Sequence, residues 1–202
     1  MMSSRKRNPE EKINKILQTV HVMIGDVGLR HITLRAVAKA CGIHLKTLQH
    51  YFPTKDDLMR AIYEERIALY LPPLVDILNR PEPSLHRFNL ILDQLFGFVQ
   101  NLENQRFFFE VFSMAQDDPE WMILLEQKFE AFYNRIGDLL ADLNPCLDRA
   151  AGRKRALAMG AMMEGMMLFV GDNKIERPER DGLEDELRGL LLLMAQAPLL
   201  KE

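Results

Sequence analysis

The chain has 202 residues, 48% hydrophobic and 27% charged, which fits a packed globular protein built as one large domain or as a small domain joined to a larger one. Its two cysteines, Cys41 and Cys146, show no metal-ligand spacing, which argues against a disulfide scaffold or a zinc site and points to a reducing, cytoplasmic setting. The net charge of −3 is uneven: residues 1–55 carry ten Lys and Arg against three acids, a balance of +7, and the rest carries 16 against 26, a balance of −10.

A basic head on an acidic body is the electrostatic footprint of a nucleic-acid-binding module joined to a part that does not bind nucleic acid. Basic tails are also common without that meaning, so Arg5-Lys6-Arg7 alone decides nothing. The opening MMSSRKRNPEE has no apolar core of a signal peptide, and no apolar run reaches the length of about 18 residues that spans a bilayer. Neither export nor a membrane span is expected.

In chain order, residues 1–7 read as a basic arm. Asn8 is a candidate cap for a first helix, with Pro9 in its first turn and Glu11 placed as in a capping box. Ile13, Ile16, Leu17, Val20 and Ile24 then follow helical spacing up to Gly28. From Thr33 to Lys55 two short helical patterns flank Cys41-Gly42-Ile43. Thr33 caps the first, Gly42 supplies the left-handed residue after it, and Leu48 on the second points back at Val37 and Ala38. Two short helices joined by a glycine turn make a helix-turn-helix. Lys46, Thr47, Gln49 and His50 are left facing outward, with groups that reach phosphates and base edges.

Phe52-Pro53 closes the second helix and Thr54 caps the next, which Pro72-Pro73 is expected to interrupt or kink. Further helices are predicted over 74–79, 84–104, 105–116, 119–143, 147–170 and 183–197. No stretch alternates as a strand, so the fold class is all-α. Five histidines (His21, His31, His44, His50, His86) form no metal spacing, and there is no glycine-rich phosphate loop or GxSxG elbow. No enzyme, metal or cofactor is expected.

The matching order of Gly28, Ile32-Thr33-Leu34-Arg35-Ala36-Val37-Ala38, Cys41-Gly42-Ile43, Thr47-Leu48, Tyr51-Phe52 and Lys55-Asp56-Asp57-Leu58 resembles the tetracycline-repressor (TetR/AcrR) family of bacterial transcription regulators. Beyond residue 70 the resemblance is one of length, helix count and the segment FFFEVFSMAQDDPEW. It implies an N-terminal three-helix DNA-binding domain over 1–55, a C-terminal effector-binding and dimerisation domain over 56–202, and about nine helices in all. The sequence departs from the family at His44, where members carry Ser or Thr, and at Gln49, where many carry Tyr.

The resemblance places His44–Tyr51 in the major groove of double-stranded DNA. Thr33, Thr47, Tyr51 and Lys55 then hold the backbone. Leu45, Lys46, Gln49 and His50 read bases, Leu45 at a thymine methyl, Lys46 at guanine and Gln49 at adenine. Arg35 and His44 complete the expected contact set, and Arg5–Arg7 is a candidate minor-groove arm.

For the body, the resemblance implies dimerisation by the last two long helices, through Leu157, Gly160, Ala161 and Leu168 on one and Leu187, Leu190, Leu191 and Met194 on the other. An intramolecular core is the competing reading. It also implies an effector pocket, with Phe96, Phe109, Glu110, Met114, Trp121, Phe129, Met163, Glu164 and Met167 as candidates, although aromatic and methionine clusters also serve as plain core. Glu110 or Glu164, set among apolar residues, would select a cationic or hydrogen-bonding ligand. The expected function is a homodimeric repressor, released from a palindromic operator by a small hydrophobic effector. The alternatives are an activator without a small effector and a structural nucleoid or division-associated DNA-binding protein.

Overall fold

The computed structural model describes residues 8–28, 31–171 and 174–198. Among these the chain is all-α, with helices α1 (Pro9–Val27), α2 (Leu34–Cys41), α3 (Leu45–Tyr51), α4 (Lys55–Leu78), α5 (Ser84–Gln100), α6 (Leu102–Asp117), α7 (Pro119–Leu143), α8 (Arg149–Met166) and α9 (Leu183–Gln196). A short 3-10 turn, Pro178–Arg180, precedes α9. No described helix is long and apolar enough to cross a membrane. The chain forms two compact units, Met1–Tyr70 and Leu71–Glu202, so the first extends past the Lys55 boundary read from sequence. The reason is that the early turns of α4 bury Leu58, Met59, Ile62 and Tyr63 completely.

In the first unit, Asn8 caps α1 by accepting from Glu10 N–H, and its amide donates to the Glu10 carboxylate at 3.3 Å, so the reciprocal partner is Glu10 and not Glu11. The apolar side of α1 buries Ile16, Leu17, Val20 and Ile24. Across from it, His21 Nε2 lies 2.7 Å from Glu65 Oε2 on α4, and Arg66, buried to 4% exposure, reaches His21 Nδ1 at 3.3 Å. This polar tie between α1 and α4 escaped the sequence reading, because each residue looks like an ordinary exposed charge.

Pro72 and Pro73 do not interrupt α4, which continues across them and absorbs the separate helix expected over 74–79. Each proline removes an N–H that the preceding turn would use. Ala68 and Leu69, whose carbonyls lose those partners, are exposed and open to water, while Leu74, Ile77 and Leu78 are buried and hold the last turns in place.

In the second unit, α5 and α6 divide earlier than the expected break at 104–105. Asn101 ends α5 and caps α6, accepting from Asn104 N–H at 3.0 Å. Asp118 and Asp148 cap α7 and α8 through Glu120 N–H and Ala151 N–H. α7 and α8 form the most extensive helix pair. Their close crossing depends on facing glycines: a Cβ at Gly137 would overlap the Arg153 backbone, and one at Gly152 would overlap the Gly137 carbonyl.

Candidate functional sites

The helix-turn-helix is built by local rules. Thr33 Oγ1 accepts from Ala36 N–H at 3.1 Å and starts α2. Gly42 takes φ 66°, a left-handed conformation that costs glycine little, and its N–H bonds back to Ala38 and Lys39. Ile43 N–H returns to Ala38 O at 3.0 Å and turns the chain toward α3. Val37, Ala38 and Leu48 are buried, with Ile32 and Phe52 beside them in the same core. After α3, Thr54 and Asp57 form a reciprocal cap: Asp57 N–H donates to Thr54 Oγ1 at 3.1 Å, and Thr54 N–H donates to Asp57 Oδ2 at 2.9 Å.

The expected contact residues fall into two groups. Thr33, Arg35, His44, Lys46, Gln49, His50 and Lys55 are exposed, whereas Leu45, Thr47 and Tyr51 are half-buried. Lys46, Gln49 and His50 therefore present one polar surface on α3. Tyr51 is braced by an edge contact with His50, ring centroids 5.3 Å apart. His44 is the N-cap of α3 and makes no side-chain cap bond, in keeping with its departure from the Ser or Thr pattern. The Arg5–Arg7 arm lies outside the described residues.

In the second unit, rings form a continuous ladder. Phe98, Phe108, Phe112, Phe129 and Tyr133 follow one another at centroid separations of 5.3, 5.8, 6.4 and 5.9 Å, joining α5, α6 and α7. Of the expected effector residues, Phe129 stands in this ladder and Glu164 lies beside its end at Tyr133. Trp121, Met163, Met167 and Phe96 are buried, Glu110 and Met114 are half-buried, and Phe109 is exposed on the surface.

The Tyr133–Glu164 neighbourhood is the electrostatic anomaly of this unit. Glu164 Oε2 is buried without a hydrogen-bond partner, and burial pushes its carboxyl up to about 7. Burial first, and then the Glu164 charge, hold the Tyr133 phenol above its ordinary value. Tyr133 also corrects one expectation. Gly160 does not leave space for a second copy of the chain, because a Cβ there would overlap the Tyr133 ring of the same chain.

The other expected dimer residues divide cleanly. Leu157 on α8 and Leu168 in the turn after it are 59% and 58% exposed, with Ala161 exposed between them. On α9, Leu190 is 40% exposed, Leu187 and Met194 are half-buried, and Leu191 is fully buried and faces inward, contrary to expectation. Leu193, which the sequence reading passed over, is 67% exposed. In the run Leu190 to Leu193 nothing but the helix phase relative to the core distinguishes one leucine from the next.

A short capped helix, a left-handed glycine turn and a second helix with a polar outer face on a buried leucine define a helix-turn-helix DNA-binding regulator. Comparison agrees: residues 16–62 match the model described as "Bacterial regulatory proteins, tetR family". Residues 16–62 therefore carry a DNA-binding segment of the tetR family type.

Over nine-tenths or more of its length the chain has the same fold as solved regulators of low sequence identity. A TetR transcription regulator from Haloarcula marismortui ATCC 43049 superposes with a TM-score of 0.73 at 17% identity, over 92% of this chain and 97% of that one. A transcriptional regulator from Saccharomonospora viridis in complex with choline gives 0.71 at 15%, over 90% and 96%. AibR in complex with isovaleryl coenzyme A and operator DNA gives 0.68 at 14%, over 90% and 98%. Comparison with the curated proteins gave no match.

Proposed function

We propose that the chain is a homodimeric repressor that binds a roughly palindromic operator through α3 and is released by a small effector bound in the second unit. The observation that carries the reading is the polar face of Lys46, Gln49 and His50 standing exposed on a helix whose only fully buried side chain is Leu48. One such module offers too few base contacts for a specific site, and a dimer doubles them. The exposed apolar residues of α8, the turn after it and α9 (Leu157, Ala161, Leu168, Leu190 and Leu193) supply the face on which a second copy docks.

The effector combines an apolar part with a cationic or hydrogen-bonding group. Glu164, with its unpartnered buried oxygen at the end of the aromatic ladder, is its polar contact. The similarly folded Saccharomonospora viridis regulator holds choline, a cation, which supports this class. Release requires that the effector bind the state that does not fit DNA more tightly than the state that does.

Operator selection from random duplexes with the full-length protein, followed by sedimentation, tests the reading. A two-fold-symmetric site bound by a dimer is the expected result. Binding without sequence preference, spread over many genomic sites, would favour the structural role instead.

A further inference from the structure

The second unit also contains a cleft of about 690 Å³ between the end of α5, the connection from α8 to α9 and the start of α9. The size lies within the range of about 300–1,000 Å³ usual for small-ligand sites. None of the residues expected to bind effector lines it.

Its polar groups are unevenly satisfied. Lys174 Nζ donates to Gln105 Oε1 at 2.9 Å, a neutral acceptor. Gln105 is itself 1% exposed and fixed by donating to Val99 O at 2.7 Å and Val170 O at 2.8 Å, so it aims the lysine. Arg180 donates to Ile175 O at 2.9 Å. Among the described residues neither cation forms an ion pair with a carboxylate. Burial, and then the Arg180 charge, lower the Lys174 ammonium from its ordinary value. Of the acids lining the cleft, Glu184 accepts a hydrogen bond from the Gln100 amide, while Glu176 and Asp181 stand exposed to water. The walls also include Phe169 and Ile175, 53% and 71% exposed.

We propose that this cleft is a second ligand site, specific for a small organic anion whose charged end bridges Lys174 and Arg180 and whose apolar end covers Phe169 and Ile175. The ammonium keeps donors beyond the one given to Gln105, and the guanidinium offers a fork suited to a carboxylate or phosphate. The bound anion adds negative charge between the two cations and removes exposed apolar surface from water. The site does not depend on the effector reading of Glu164, since it shares no residue with it.

The test is calorimetric titration of the full chain with hexanoate and with butyl phosphate, using 1-hexanol and a butyl trimethylammonium salt as controls. At least one anion is expected to bind once per chain, and neither control to compete with it. Lys174→Gln and Arg180→Gln should each weaken that binding about tenfold or more. Ile175→Glu, at an exposed position that tolerates change, should abolish it by placing a negative charge on the rim. Lys46→Gln in the DNA-binding head should leave it unchanged. The proposal is overturned if neither anion binds, if hexanol binds equally well, if the Lys174, Arg180 and Ile175 variants bind like the unaltered chain, or if binding is lost in Lys46→Gln.

Discussion

The Tyr133 ring occupies the space that a side chain at Gly160 would need. The small residue therefore serves the packing of α7 on α8 within one chain. Gly160→Ala is expected to destabilise the fold by about 1–3 kcal/mol through overpacking. Gly165→Ala meets nothing within 4 Å and should be neutral, or stabilising by up to about 1 kcal/mol from helix propensity. Urea unfolding midpoints at constant m-value distinguish the two. Equal losses would mean that Tyr133 moves aside.

Glu164 makes stability depend on pH. Its folded carboxyl is raised from 4.5 to about 7. Folding therefore retains the full contribution of the protonated group below the unfolded value and loses it progressively as pH rises through the folded one. The loss is bounded at roughly 3 kcal/mol and is smaller where solvent reaches the carboxyl. Glu164→Gln should match the unaltered protein near about pH 5 and melt higher than it near about pH 8. Parallel melting profiles across that window would remove the buried charge from the account.

On the DNA side, Gln49→Ala is expected to change base preference at one position of each half-site, and operator selection reads this directly. Lys55→Ala should instead weaken every sequence alike and reduce the salt slope by about one. If Gln49→Ala lowered all sequences equally, its base-reading role would be wrong.

Leu157→Glu and Leu193→Glu put charge on exposed positions and should yield folded monomers in sedimentation, with operator affinity reduced accordingly. Leu191→Ala, at a fully buried position, should cost about 2–5 kcal/mol of fold stability. Dimers that survive both Glu substitutions would place the interface elsewhere.

These expectations also mark where sequence was informative. Caps and turns are local chemistry, so Thr33, Gly42 and Thr54 show their roles within a few residues of themselves. The break at Asn101 was harder to see: neither glycine nor proline marks it, and one amide does the capping. The prolines of α4 misled in the opposite direction, because buried Leu74, Ile77 and Leu78 outweigh two missing backbone bonds. Helical periodicity in α8 grouped buried Gly160 with exposed Leu157 and Ala161 and carried no sign of which chain each residue meets. Only the position of Tyr133 reveals that for Gly160, and the same holds for the His21–Glu65–Arg66 tie, whose members lie far apart in sequence.

The economy of α3 has an evolutionary consequence. The fold draws on this helix chiefly through Leu48, and Lys46, Gln49 and His50 are exposed, His50 touching only the edge of Tyr51. Those positions are free to mutate at little cost in folding. Where this face reads the operator as proposed, a handful of substitutions changes DNA preference without passing through unstable intermediates.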